Sequence, residues 1–252
     1  MTGARAQHPL AESAPSLGLP LTICVLTYGP HASLARRFLT SLYEKTDPAL
    51  FHLRAGLNEV EPGTHELFRE YAKRFGNIEV FDEPVNVFKC PLMRRMFYEP
   101  AIMTAWTLWC DDDTFFTRAD WLQRLALKIE RKPRAAMWGS VHLVWRRDAF
   151  IRDWIRAARW YRGVAWQRGV NPQGQEATEF RFATGGFWAI RTEIIRQLDW
   201  PDPRLIQAHD DFLLGEALRQ NQLEVGNFCR GVKINAAARR NPKAEAVRRI
   251  RP

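Results

Sequence analysis

The sequence predicts an α/β fold, a central and mostly parallel sheet flanked by helices in a single domain. From Leu21 onward, short apolar runs alternate with amphipathic stretches in a β-α-β-α-β series, the pattern of a parallel sheet covered by helices. The 252 residues are 46% apolar and 26% charged, enough to bury one core without staples and too apolar for a disordered chain. No internal repeat and no linker interrupts the series.

Residues 1 to 19, rich in Ala, Pro and Ser without periodicity, are expected to form a flexible leader. The run LTICVLT has the composition of a buried strand and ends at Tyr28-Gly29-Pro30, where a strand cannot easily continue. Ser33 is then placed to cap a helix carrying Leu34, Phe38 and Leu42 on one side. A strand over about Phe51 to Leu57 and a turn at Glu61-Pro62-Gly63 follow. Leu67, Tyr71 and Phe75 then recur at helical spacing, and Ile78 to Phe81 supplies a third strand.

A Pro- and Arg-containing connection leads to a buried strand over Thr104 to Cys110, which runs directly into Asp111-Asp112-Asp113. A helix over Trp121 to Ile129 follows. Further strands are expected near Ala136 to Val144, Phe182 to Ile190 and Leu223 to Phe228, and further helices near Asp148 to Tyr161, Thr192 to Leu198 and Asp211 to Arg219. The domain is thus expected over 20 to 235, with a basic tail over 236 to 252.

Composition narrows the function. Cys24, Cys90, Cys110 and Cys229 form no CxxC pair and no Cys/His metal pattern, which disfavours a disulfide framework or a zinc site and fits a reducing, cytoplasmic compartment, the host cytoplasm if the chain is viral. No apolar run reaches membrane-spanning length, and Arg5, His8 and Glu12 interrupt the region where a signal peptide would be apolar. The net charge of +9 is local: residues 230 to 252 carry +7, and the window from Trp145 to Arg168 holds seven arginines against Asp148 and Asp153, interleaved with aromatic residues.

Three motifs carry chemistry. Adjacent carboxylates at the end of an apolar strand repel one another and call for hydration, pairing or a cation, and in open parallel sheets ligands bind beyond the carboxyl ends of strands. A solvated turn or a helix cap would also accept an acidic triplet. Gly185 and Gly186 allow a close backbone approach, or form a bulge. Asp210 and Asp211 precede a helical stretch that they could cap or could equip with a base.

Taken in order, LTICVLTYGP, LWCDDDTFF, ATGGFWAIRTEII and HDDFLLGEALR resemble the GT-A class of nucleotide-sugar glycosyltransferases, family 2 in particular, over about residues 21 to 220. The resemblance implies a Rossmann-like sheet and a Mg²⁺- or Mn²⁺-dependent transfer from a nucleotide-sugar donor, taken to be a UDP-sugar. It puts Thr27, Tyr28, Asn58 and Glu59 beside the nucleotide, Asp111 and Asp112 at the donor, and Asp113 on the metal with Asp111 on the ribose or the metal's water shell. Gly185 and Gly186 line the donor site, Asp211 serves as the base of an inverting reaction, and Asp210 stands beside it. Arg94 and Arg95 are placed to meet the diphosphate if their connection folds over the donor. The late histidine of many relatives has no counterpart after His209, and there is no Gln-any-any-Arg-Trp motif, which disfavours a processive polysaccharide synthase.

The acceptor is read from charge. On a helix beginning near Asp148, Phe150, Trp154, Ala157 and Tyr161 share one face, taken as core. Arg152, Arg156 and Arg159 share the other and are free to meet phosphates. PLMRRMFY before LWCDDDTFF resembles bacteriophage-type transferases that decorate modified DNA bases, which implies DNA as acceptor through a 5-hydroxymethylpyrimidine. Trp188 is grouped with the acceptor residues. The competing expectations are a protein or surface-glycan hydroxyl as acceptor, a nucleic-acid-binding module without catalysis, and, ranked lower for want of a Gly-rich phosphate loop, a nucleotidyltransferase.

Overall fold

The structure, a computed structural model, describes residues 17–207 and 209–234. The first sixteen residues of the expected leader over 1–19, and the expected tail over 236–252, lie outside these residues. Leu17 is buried against the core.

The sheet is built from β1 (Leu21–Gly29), β2 (Phe51–Val60), β3 (Ile78–Glu83), β4 (Trp106–Asp111), β6 (Ala135–Arg146), β7 (Arg168–Val170), β8 (Glu176–Arg191) and β9 (Glu224–Asn227). Its order is β3-β2-β1-β4-β8-β6-β9, with β7 paired to β8. Pairings β1–β2, β2–β3, β1–β4 and β6–β9 are parallel, whereas β8 runs antiparallel to β4, β6 and β7. A single reversed strand therefore joins two parallel sets. Strands β5 (Thr114–Phe116) and β10 (Val232–Ile234) form a separate antiparallel pair.

Helices cover both faces. On one side lie α1 (Ala32–Lys45), α2 (Pro62–Phe75) and α4 (Trp121–Arg131), and on the other α3 (Lys89–Tyr98), α5 (Ala149–Arg156), α6 (Thr192–Leu198) and α7 (Asp210–Gln220). Side-chain alternation along the strands serves the two layers. Trp106, Leu108 and Cys110 of β4 enter the α1/α2/α4 layer, and Trp109 enters the other. There Trp109 stacks on Trp188 with ring centroids 6.2 Å apart, a contact worth about 0.5–1.5 kcal/mol beyond its area.

Several local expectations are corrected. Helix α1 begins at Ala32 after His31, with no side-chain cap, so Ser33 is inside the helix. The connection before the acidic triplet is largely α3. Pro91 sits in its first turn, where a missing N–H costs nothing. Thr104 precedes β4 and instead bonds Thr22 through their hydroxyls at 2.8 Å. Strand β8 is longer than expected, because Glu176 to Arg181 extend it by pairing with β6 and β7. Helix α5 ends at Arg156 and buries Ile151 and Ile155, while Phe150 is 51% exposed; its inner face is rotated by about one residue from the expected one.

Candidate active site

The parallel strands end together. Leu26 of β1 pairs with Asp111, and Tyr28 pairs with Asn58 of β2, so Thr27, Tyr28, Asn58, Glu59 and Asp111 share one rim of the sheet. Strand β4 then turns at Asp112-Asp113 into β5. Asp112 is fully buried within that turn and stands back from the cavity beyond it, which corrects its expected place at the donor. Asp113 borders the cavity, and its carbonyl accepts a bond from Arg37.

This cavity, of about 490 Å³, is bordered by Lys89, Asp111, Asp113, Ser140, His142, Thr184 to Phe187 and Asp211, and is walled on one side by the segment from Phe228 to Ile234. The expected pair Asp113 and Asp211 therefore shares one pocket. The β6–β8 register explains the shape: Gly139 faces Trp188 and Val141 faces Ala183, so Thr184 to Phe187 bulge opposite Ser140.

The bulge receives Asp211. Gly185 N–H donates to Asp211 Oδ2 at 2.7 Å, and a β-carbon at Gly185 would lie 2.3 Å from Asp211 Oδ1. Gly185 is thus small for the carboxylate of its own chain. Gly186 is small for Ile234, whose side chain would lie 2.6 Å from an added β-carbon, and its carbonyl accepts from the Thr114 hydroxyl. Asp211 Oδ1 is buried without a hydrogen-bond partner among the described residues. Burial first, then the neighbouring charges of Asp210 and Asp111, push the Asp211 carboxyl up to about 8, against the opposing pull of Lys89 and the Gly185 N–H.

The sequence-based reading missed Lys89. From the first turn of α3 its ammonium reaches Asp210 Oδ2 at 2.8 Å and Asp111 Oδ1 at 3.6 Å, and it lies 5.6 Å from the Trp109 ring centroid. Burial disfavours its charge, but Asp111, Asp210 and Asp211 overcome that and hold its pKa well above the ordinary value. Asp210 is committed to this ion pair, which separates its role from that of Asp211. The signal for Lys89 was present: Cys90, Met93 and Phe97 recur at helical spacing and put their neighbour Lys89 at the start of a buried helix. Ser140 and His142, bonded to each other at 3.1 Å, also border the cavity and were missed, since nothing in an alternating strand singles them out.

Among the described residues no group of three or more His, Cys, Asp or Glu is arranged to hold a metal ion. Asp111 and Asp113 supply two carboxylates at one cavity, a donor set that suits Mg²⁺ or Mn²⁺ when phosphate and water complete the shell. The residues fit a shared ion and not an all-protein cage.

The same architecture occurs in solved structures. Residues of this chain covering 90% of its length superpose on 59% of a mannosyltransferase, PcManGT, from Pyrobaculum calidifontis in complex with GDP-Man and Mn²⁺, with a TM-score of 0.60 and 16% identity. S. aureus TarS 1–349 matches over 83% of this chain and 58% of its own, with a TM-score of 0.54 and 12% identity. Its complex with UDP-GlcNAc matches over 83% and 56%, with a TM-score of 0.51 and 13% identity. The fold is GT-A-like. No protein-family model and no curated protein matches the sequence. The chain spans between half and two thirds of the length of these solved neighbours.

Within this GT-A-like fold, Arg94, Arg95, Trp188 and Arg159 are engaged away from the cavity. Arg94 is bound to Asp199 at 2.6 Å and to the carbonyls of Asp199 and Pro201, and Arg95 pairs with Glu83 and Glu99, so neither reaches the cavity. The carboxylates packed beside α3 capture both guanidinium groups. Asn58 bonds Asn86 at 3.0 Å and accepts from Val87 N–H at 2.9 Å, ordering the loop before α3, while Glu59 is exposed with φ of 54°. Thr27 is buried, and the Tyr28 ring meets His31 edge-on. Trp188 is 1% exposed within the core and is corrected from acceptor contact to packing. Arg159 lies past the end of α5, 3.6 Å from Asp199. Arg152 and Arg156 border a second, basic cavity.

Proposed function

We propose that the chain is a glycosyltransferase that moves a sugar from a nucleotide-diphosphate donor to a hydroxyl acceptor, with inversion. The observation that carries this is the seating of Asp211 on Gly185 at a cavity that Asp113 also borders. Asp211 Oδ2 is held by the backbone, and Oδ1 is left to take the acceptor's proton. A carboxyl pushed up to about 8 is strongly enough basic to receive that proton near neutrality as the hydroxyl oxygen attacks the anomeric carbon and the nucleotide diphosphate leaves. Lys89 keeps the charge of Asp210 and Asp111 balanced around the base. Asp113 and Asp111 would hold Mg²⁺ or Mn²⁺, which when bound neutralises the leaving diphosphate.

Support for the donor class comes from the fold shared with proteins solved with GDP-Man and Mn²⁺ or with UDP-GlcNAc. As acceptor we propose DNA, through the hydroxymethyl group of a 5-hydroxymethylpyrimidine. The arginines between 146 and 168 favour a polyanion, and extrusion of the base would bring its hydroxymethyl group to Asp211. Among the described residues no helix is long and apolar enough to cross a membrane.

The test is to incubate hydroxymethylated DNA with a panel of nucleotide sugars and Mn²⁺, then digest to nucleosides for mass spectrometry. A hexose or pentose increment on the modified nucleoside is expected. No increment with any donor, together with no donor hydrolysis, would overturn the proposal. Hydrolysis without an increment would move the acceptor to a protein or glycan hydroxyl.

A further inference from the structure

A second cavity, of about 480 Å³, opens at the far end of the β6–β8 ladder. Arg147 at the β6–α5 junction, Arg152 and Arg156 of α5, and Arg168 of β7 converge on it, against Asp153 and Glu176. Arg156 is ion-paired to Asp153 at 2.6 Å. Arg147, Arg152 and Arg168 form no ion pair among the described residues, although Glu176 borders the same cavity. Guanidinium groups gathered without matching carboxylates repel one another, and a bound anion removes that cost. Their planar forks suit phosphate oxygens.

Position identifies the kind of anion. Thr178, at this cavity, lies seven residues along β8 from Gly185, at the other. At about 3.3 Å per residue the two sites stand roughly 20 Å apart. A ligand that reaches both is extended and carries phosphates at a distance from the reacting hydroxyl. Duplex DNA, advancing about 3.4 Å per base pair, covers that span in roughly six base pairs.

We infer that the Arg147–Arg152–Arg168 cavity is a phosphodiester-binding subsite that grips the acceptor DNA about six base pairs from the base being modified. This rests on the proposed DNA acceptor and adds to it a fixed second contact and a minimum acceptor length.

The test uses fluorescein-labelled, hairpin-closed duplexes of about 5 and about 16 base pairs with 5-hydroxymethylcytosine next to the open end, read by anisotropy without nucleotide sugar over a series of salt concentrations. The wild-type protein should bind the long duplex more tightly than the short one. The triple variant Arg147→Gln, Arg152→Gln, Arg168→Gln, with its fold checked by circular dichroism, should bind the long duplex at least about tenfold more weakly. Its log-affinity against log-salt slope should be shallower by about 3, with the short duplex little affected. Glu176→Gln removes the competing carboxylate and should tighten the long duplex several-fold. An unchanged slope, equal losses on both duplexes, or wild-type protein that binds neither would overturn the subsite. Binding of inorganic polyphosphate but not DNA, sensitive to the same arginines, would overturn the nucleic-acid assignment. Calorimetric titration of wild-type protein with UDP and GDP judges the glycosyltransferase proposal separately, since it involves no acceptor.

Discussion

Gly185 and Asp211 are fitted to each other: the glycine N–H holds one carboxylate oxygen at 2.7 Å, and the glycine's missing side chain leaves room for the other. Gly185 lies in a strand without positive φ, so alanine is allowed there by its backbone and excluded only by the carboxylate. Gly185→Ala should therefore displace Asp211 by a fraction of an ångström to about 1 Å. A shift of that size at a reacting group costs about 100-fold in kcat, against an overpacking cost of about 1–3 kcal/mol in stability. Steady-state kinetics beside urea unfolding checks this; equal activity in Gly185→Ala would detach Asp211 from the reaction.

Asp211→Asn keeps the shape and removes the proposed base. Transfer should fall by roughly 10²- to 10⁴-fold while nucleotide-diphosphate binding persists. Because burial and the charges of Asp210 and Asp111 push the parental carboxyl up to about 8, log kcat/KM of the parent should climb with unit slope up to about pH 8 and level off above it. A flat profile between pH 6 and 8 would remove Asp211 from the proton transfer.

The same shift acts on stability. The folded pKa lies above the ordinary carboxyl value, so the folded state favours the protonated form. That contribution is fully present below the unfolded pKa and is lost as pH rises through about 8. Asp211→Asn cannot ionise and escapes the loss. Its melting temperature relative to the parent should therefore rise between about pH 5 and about pH 9, as measured by calorimetric scans, and a constant difference would contradict the raised pKa.

Lys89 is the counter-ion of a buried acidic cluster, with its side chain and that of Asp210 largely shielded. Lys89→Met leaves Asp210 and Asp111 facing each other without it and should cost about 3–5 kcal/mol at neutral pH. Adding Asp210→Asn should restore part of that loss, so the double variant is less destabilised than the sum of the singles. Additive losses in urea denaturation would mean that the pair is uncoupled.

Much of this is legible in the sequence, and the reason is periodicity. The alternation of Trp106, Leu108 and Cys110 against Trp109 specified a strand buried on both faces, and its end located the acidic triplet. Lys89 was hidden because Pro91 and the Arg94–Arg95 pair suggested a connection; proline is tolerated in a first helical turn, and the arginines are neutralised by Asp199, Glu83 and Glu99. Trp188 was misjudged for a related reason: the partner that buries it, Trp109, lies on another strand. The pairing of Gly185 with Asp211 is likewise tertiary. The glycine announced a close approach, but only the packing of α7 on β8 shows that the approaching group belongs to the chain itself.

The proposed metal dependence rests on the donor count. Asp111 and Asp113 border the cavity together, Lys89 already places a positive charge 3.6 Å from Asp111, and among the described residues no third ligand joins them. Two carboxylates, one of them partly compensated, would hold Mg²⁺ or Mn²⁺ weakly until phosphate oxygens complete the shell. Mn²⁺ alone should therefore give little heat on titration, whereas Mn²⁺ should strengthen UDP or GDP binding at least about tenfold, and the nucleotide should strengthen Mn²⁺ binding by the same factor, as linkage requires. Asp113→Ala should erase that increment and leave the metal-free nucleotide affinity unchanged. Tight Mn²⁺ binding without nucleotide would mean that a further protein ligand joins the two aspartates, and an increment surviving in Asp113→Ala would place the ion elsewhere.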